Sequence, residues 1–251
     1  MRENRPLSDF LTPSNLENGI RYISACGGST NGVLHTLAFA RLMGCDFDLR
    51  SFESVQCSVP VVGKFKPSSS YNIDDFHQAG GVPVLLKAIS ASLDLGVEMA
   101  MGGTLGKALD QPPAPDGTVT RSPEHPLDRD GAFGILRGNL APNGAVVKKS
   151  GMDPRMFVHR GPAVVFNSEE EVRQFMLEKT IQPGSVLVVR YEGPKGAPGM
   201  RELSIPTAML VGMGLHTCVA MVTDGRFSGA MWRARDPRGV GRRPHRLRGR
   251  R

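Results

Sequence analysis

The hydrophobic pattern divides the chain in two. From residue 12 to about 93 the apolar positions recur at helical spacing. Thr12-Pro13 offers a side-chain acceptor followed by a residue with preset φ, a helix start, and Leu16, Ile20 and Ile23 follow as one buried stripe before Gly27-Gly28. A second helix is predicted from Gly32 to Met43, opened by Ser29-Thr30-Asn31 and closed by Gly44. Val33, Leu34, Leu37, Ala38, Phe39 and Leu42 make it apolar around much of its circumference, which predicts burial on several sides. The pattern breaks at Lys66-Pro67-Ser68-Ser69-Ser70, resumes as a helix near Asn72–Gln78, and passes through Gly80-Gly81 into another over Val82–Leu93.

Beyond Gly96 the apolar runs shorten and turn signals recur, among them Gly102-Gly103, Asp130-Gly131, Asn143-Gly144 and Pro183-Gly184. Strands are predicted at Ala145–Lys148, Ala163–Phe166, Val186–Tyr191 and Cys218–Val222. Between the second and third, Ser168 with Glu171 has the spacing of a capping box ahead of Val172, Phe175 and Met176. The expected organisation is an α/β segment over 1–95, a β-rich, barrel-like domain over 96–230 and a disordered tail over 231–251. At 251 residues the chain has room for one or two domains.

Composition changes this picture at one place. The net charge of +7 is concentrated in residues 231–251, whose nine arginines and one acid carry +8 and leave residues 1–230 at −1. A basic tail suits a nucleic-acid arm acting by counterion release, or a stretch foreign to the folded protein. No apolar run reaches the roughly 20 residues needed to cross a bilayer. The start of the chain lacks the apolar core of a signal peptide, so a cytoplasmic protein is expected. Cys26, Cys45, Cys57 and Cys218 form no Cys-x-x-Cys pair, which argues against a structural zinc or a self-contained iron–sulfur site and for reduced packing residues.

Four loops concentrate glycine with polar groups: 27–31, 137–142, 191–202 and 224–229. The first sits at a helix N-terminus, which suits either an ordinary cap or an anion. The third is a stiff Gly/Pro track delivering the carboxylate of Glu202, a hard oxygen ligand that a cation such as Mg²⁺ would use alongside others. In the fourth, Ser228 is either a hydroxyl presented to a cleft or a turn serine capping its own backbone. Gly102–Ala108 lacks the spacing of a phosphate loop and 225–229 that of a nucleophile elbow. His35, His77, His125, His159 and His216 show no paired spacing.

Taken together, Gly27-Gly28-Ser29-Thr30-Asn31 with Val33-Leu34-His35, Asp75 to Pro83, Leu136 to Pro142, Arg190 to Gly196 with Gly199-Met200, and Thr223 to Gly229 resemble the dihydroxy-acid and sugar-acid dehydratase family over about residues 7–230. The wording of Arg190–Gly196 favours the branched-chain dihydroxy-acid enzymes over the sugar-acid branches (aldonate or phosphogluconate). The resemblance implies a hydro-lyase that converts a 2,3-dihydroxy acid to a 2-keto acid. It implies an iron–sulfur cluster acting on the leaving hydroxyl, Mg²⁺ on the substrate's carboxylate and 2-hydroxyl, and a homodimer. By the same resemblance Ser228 matches the base, Glu202 a Mg²⁺ ligand, and Ser29 and Asn31 line the site.

Two departures qualify the expectation. Family members are roughly twice as long, and their cluster cysteines, Mg²⁺ aspartates and carbamylated lysine lie in an N-terminal half without a counterpart here. None of the four cysteines matches a cluster ligand, and Arg201 stands where the family commonly has proline. The expected protein is thus an incomplete enzyme, inactive alone or completed by a separately encoded chain. Residues 231–251, back-translated one base later, can spell the family's continuation Gly-Gly-His-Val-Thr-Pro-Glu-Ala, so an out-of-frame tail is expected. A nucleic-acid binder using the arginines is the reading from another class.

Overall fold

A computed structural model describes residues 5–66, 68–195 and 200–227. Ser228 and residues 231–251 lie outside the described residues. The chain is mixed α/β: helices α1 (Pro13–Ala25), α2 (Thr30–Leu42), α3 (Leu49–Gln56), α4 (Ile73–Gln78), α5 (Gly81–Ala88) and α6 (Leu105–Leu109) precede the hairpin β1 (Phe133–Leu136) and β2 (Ala145–Lys148). Then β3 (Ala163–Phe166), α7 (Glu169–Glu178), β4 (Val186–Val189), α8 (Ser204–Gly212) and β5 (Ala220–Thr223) alternate.

The predicted helix starts form for the reasons the residues supply. Thr12 Oγ1 accepts from the Asn15 amide at 3.2 Å, with Pro13 in the first turn. Asn72 and Asp75 make a reciprocal capping box for α4. At α7 only half of the expected box closes. Ser168 accepts from the Glu171 amide at 3.1 Å, whereas Glu171 Oε2 takes the amide of Asn167, one residue before the cap.

The barrel-like arrangement expected for 96–230 is not what the described residues build. They form a two-stranded antiparallel sheet and a separate three-stranded parallel sheet, ordered β3-β4-β5. Each strand has four residues, and consecutive strands of the second sheet are joined through α7 and α8. A parallel sheet needs such crossovers, and with only three strands this one stays open, with edges at β3 and β5. Along β4 the inward Leu187 and Val189 are fully buried and join Phe166, Val172, Met176, Leu203 and Leu210 in one core.

The hairpin packs elsewhere. β1 lies against α3 and β2 against α2, and Phe133 meets Phe52 edge to face, with ring centroids 6.0 Å apart. Ser24 Oγ and the Gln56 side chain are both buried there. Gln56 Nε2 donates to the Phe133 carbonyl, its Oε1 accepts from the Phe133 amide, and Ser24 Oγ accepts from Ala132. That network satisfies the polar groups where α1, α3 and β1 meet.

α2 departs from expectation. Val33, Thr36 and Ala40 are buried, but Leu34, Phe39 and Leu42 are exposed. The helix thus presents one stripe to α1 and β2 and leaves apolar side chains on its opposite face. No described helix is long and apolar enough to cross a membrane.

Candidate active site

The N-terminus of α2 and two loops of the parallel-sheet region converge on one carboxylate. Ser29 in extended conformation caps α2, its Oγ accepting from the Asn31 amide at 3.2 Å. That is an ordinary cap, in which the Ser29 oxygen accepts from the backbone. The cap fixes the first turn of α2, from which Asn31 reaches across 171 positions of sequence. Its Nδ2 donates to Glu202 Oε1 at 2.5 Å. Arg226 completes the group: its Nη1 donates to Asn31 Oδ1 at 3.3 Å and lies 3.5 Å from Glu202 Oε1. Of the four residues singled out in the sequence, Asn31 and Glu202 thus touch directly, Ser29 positions Asn31, and Ser228 follows Arg226 by two positions outside the described residues.

The backbone explains why Glu202 and Arg226 sit side by side. They form a parallel bridge, with the Leu203 amide donating to the Arg226 carbonyl at 2.8 Å and the Arg226 amide to the Arg201 carbonyl at 2.7 Å. Arg226 Nε donates to the Met200 carbonyl at 2.9 Å, which aims the guanidinium. Glu202 precedes α8 by two residues, where the helix dipole favours a negative group. Its side chain is 36% exposed, so the carboxylate is open to a ligand. Oε2 takes no hydrogen bond among the described residues.

A second layer holds these loops together. Asp224 accepts from the Glu192 and Tyr191 amides at 3.0 and 3.2 Å. Tyr191 is held at φ 69, a conformation an aromatic residue adopts only where its surroundings impose it. Glu192 is buried and accepts from the Glu169 amide at the start of α7 at 2.6 Å. Arg201 then gathers three carboxylates. It makes a two-pronged contact with Glu170 at 2.7 and 3.1 Å, and lies 3.4 Å from Glu169 and 3.5 Å from Glu192.

The hydrogen bonds from Arg201 hold the Glu170 carboxyl at about 2, well below its ordinary 4.5. A depressed carboxyl contributes stability that is complete above pH 4.5 and lost as pH falls towards 2. Arg201→Ala should therefore flatten the dependence of stability on pH between about 4.5 and 2. It should also cost about 1 kcal/mol at neutral pH, the upper end for a largely exposed ion pair. Urea unfolding across that pH range reads both effects. An unchanged slope would mean that the pair is absent in solution.

Sequence reasoning left two of these residues without a role. Arg201 registered only as a departure from proline, and Arg226 only as part of a motif. Their signal was charge: an arginine within each of two Gly-rich loops, each loop also carrying a carboxylate.

The cysteines are free and dispersed. Burial pushes the Cys26 thiol up to about 11, so it is protonated at neutral pH. Among the described residues no three His, Cys, Asp or Glu side chains cluster so as to hold a metal ion.

Comparison with known proteins gives two family models in chain order. "Dihydroxy-acid/6-phosphogluconate dehydratase N-terminal" matches residues 1–108, and the corresponding C-terminal model matches 118–234. A dihydroxy-acid dehydratase of Dehalococcoides mccartyi (strain CBDB1) is 44% identical over 230 residues, 92% of this chain and 41% of that protein. One from Aquifex aeolicus is 44% identical over 223 residues, 88% of this chain and 40% of that protein. One from Moorella thermoacetica is 43% identical over 233 residues, 92% of this chain and 42% of that protein. The chain therefore spans about two fifths of the length of the curated relatives it matches. Asn31 lies in the segment matched by the first model and Glu202 and Arg226 in that matched by the second, so the converging residues join both parts of one family pattern: the chain belongs to the dihydroxy-acid/6-phosphogluconate dehydratase family.

Proposed function

We propose that this chain carries the base and one metal-binding carboxylate of a hydro-lyase that converts a 2,3-dihydroxy acid of the branched-chain type to a 2-keto acid. The observation supporting it is the meeting of Asn31, Glu202 and Arg226, from three separate motifs. In this reading Ser228, as its alkoxide, takes the proton from C2 and becomes the hydroxyl while hydroxide leaves C3. The resulting enol tautomerises to the keto acid, and the transferred proton and the hydroxide leave as water. Asn31 and Arg226 fix Glu202 through Oε1 and leave Oε2 for a ligand. Arg226 also offsets the carboxylate's charge without burying it. Ser29 holds the first turn of α2 in register with that contact.

The donor set fits the two expected cofactors unequally. Glu202 has the hard oxygen chemistry to hold Mg²⁺, whose Lewis acidity would hold the substrate's oxygens. A complete Mg²⁺ site needs further oxygen ligands, which this reading assigns to sequence beyond the described residues. The dispersed, free cysteines do not fit an iron–sulfur cluster. The substrate is a small acid, and the assembled enzyme a homodimer in the cytoplasm. A sugar acid is the alternative substrate, since the family description also covers 6-phosphogluconate.

The test supplies what the chain does not show. Purified chain given iron, sulfide and Mg²⁺ is expected to form no keto acid from 2,3-dihydroxyisovalerate. A chimaera in which the leading segment of the Aquifex aeolicus relative precedes this chain is expected to turn it over. Turnover by the chain alone would overturn the division of labour. A folded but inactive chimaera that also fails on aldonates and 6-phosphogluconate would overturn the hydro-lyase reading.

A further inference from the structure

We propose that Lys64 and Lys148 form an oxyanion-binding site beside the Cys26–Gly27 turn, and that the site takes the carboxylate or phosphate end of an acid substrate. The choice of ligand rests on the hydro-lyase reading; the existence of the site does not.

Two backbone attachments bring the lysines to one place. The amides of Val62 and Gly63 both donate to the Ala25 carbonyl, at 2.8 and 3.0 Å, tying the extended segment 61–64 to the end of α1. Lys64 consequently runs past Gly27, where a Cβ would stand 3.5 Å from Lys64 Cγ and 3.3 Å from Ser150 Oγ. From the other side β2 delivers Lys148 opposite Phe133, and two residues on Ser150 Oγ donates to the Gly27 carbonyl at 3.4 Å. Across this turn Lys148 feels the repulsion of Lys64. The turn between them leads directly into Ser29 and the positive end of α2.

Both lysines are half-buried, and burial lowers both below the usual lysine range. Among the described residues neither ammonium makes an ion pair or donates a hydrogen bond. Lys64 feels the attraction of Asp128 and the repulsion of Arg121, but Asp128 Oδ1 is occupied by the Asp130 amide at 3.0 Å. Cys26, being protonated, supplies no compensating charge. Two like charges half withdrawn from water, with the Asp128 carboxylate acting on Lys64 alone, are costly, and an anion seated between them lowers that cost. A dihydroxy acid offers a carboxylate; a phosphorylated sugar acid offers a phosphate as well.

The experiment uses the full chain, with inorganic phosphate and lactate as separate probes. The Gly27, Gly28 and Ser150 amide resonances are expected to shift saturably. Lys64→Met and Lys148→Met, which keep the buried stems, should each weaken binding roughly tenfold, the usual worth of a charge-assisted contact. The Lys→Arg variants should retain it. Tighter binding of phosphate than of lactate assigns the phosphate end of a ligand; the reverse assigns the carboxylate. Removing a half-buried, repelled charge should also raise the thermal midpoint of each Met variant in phosphate-free buffer and abolish its rise on adding phosphate. The proposal is overturned by the absence of saturable shifts with both probes. It is also overturned by binding that survives the double Met variant, or by Met variants that melt earlier than the parent without phosphate. None of these readouts needs dehydratase activity, so an inactive chimaera would leave the site standing and a failed titration would leave the hydro-lyase reading standing.

Discussion

Gly193→Ala is expected to destabilise the chain by about 2–3 kcal/mol, the upper part of the range for an overpacked methyl group. A Cβ at residue 193 would stand 2.6 Å from the Asp224 carbonyl oxygen and 3.1 Å from its carboxylate. The first neighbour is backbone and cannot swing aside. Asp224 is also the acceptor for the Tyr191 and Glu192 amides, so moving it releases the loop that carries residue 193. The displacement would pass along the chain to Arg226, and from there to Glu202 and Asn31. Urea unfolding of the full chain measures the cost, and the Asn31 side-chain amide resonance reports the displaced contact. Gly225→Ala should cost less, since its nearest neighbours stand at 3.0–3.1 Å. Gly138→Ala meets nothing within 4 Å and serves as the control. A loss below about 0.5 kcal/mol at Gly193 would mean that the two loops do not interleave in solution.

That steric argument shows why the site was only partly legible in the sequence. Helix starts are local chemistry, and Thr12-Pro13, Ser29-Thr30-Asn31 and Ser168 identified theirs. The short β runs at 145–148, 163–166, 186–191 and 218–222 were visible as apolar stretches, but their pairing was not. Parallel register in β3-β4-β5 depends on two crossover helices, and α8 was hidden inside an apolar run. α3 escaped although Asp48 caps it through two amides and Leu49, Phe52 and Val55 fall at helical spacing. Four-residue β1, with a glycine inside it, carries too little pattern to be seen. At the site, the resemblance named Glu202 and Asn31 separately. Their contact spans 171 positions, and no periodicity reports a distance of that kind. The burial expected on several sides of α2 was a local inference of the opposite sort, because apolar composition says what a helix tolerates and not what covers it.

In the active chimaera, Ser228→Ala is expected to lower kcat roughly a thousandfold, within the range for loss of a positioned base. Little change in KM is expected, because the hydroxyl acts on the C2 proton and not in holding the acid. Glu202→Gln keeps the Asn31 contact available through its amide oxygen but removes the charge that a hard cation needs. It should instead shift the Mg²⁺ dependence, raising the concentration for half-maximal rate roughly tenfold or more. The pair of variants separates the two roles. A base mutant fails at every Mg²⁺ concentration, whereas a ligand mutant recovers part of its rate as Mg²⁺ rises. Thermal unfolding of both variants must match the parent for the comparison to hold, and Ser228→Ala deletes only one oxygen. A Ser228→Ala enzyme within tenfold of the parent would remove the base from this serine. The Asn31–Glu202–Arg226 contact would then be a structural clasp between helix and loop, with proton abstraction assigned to another group.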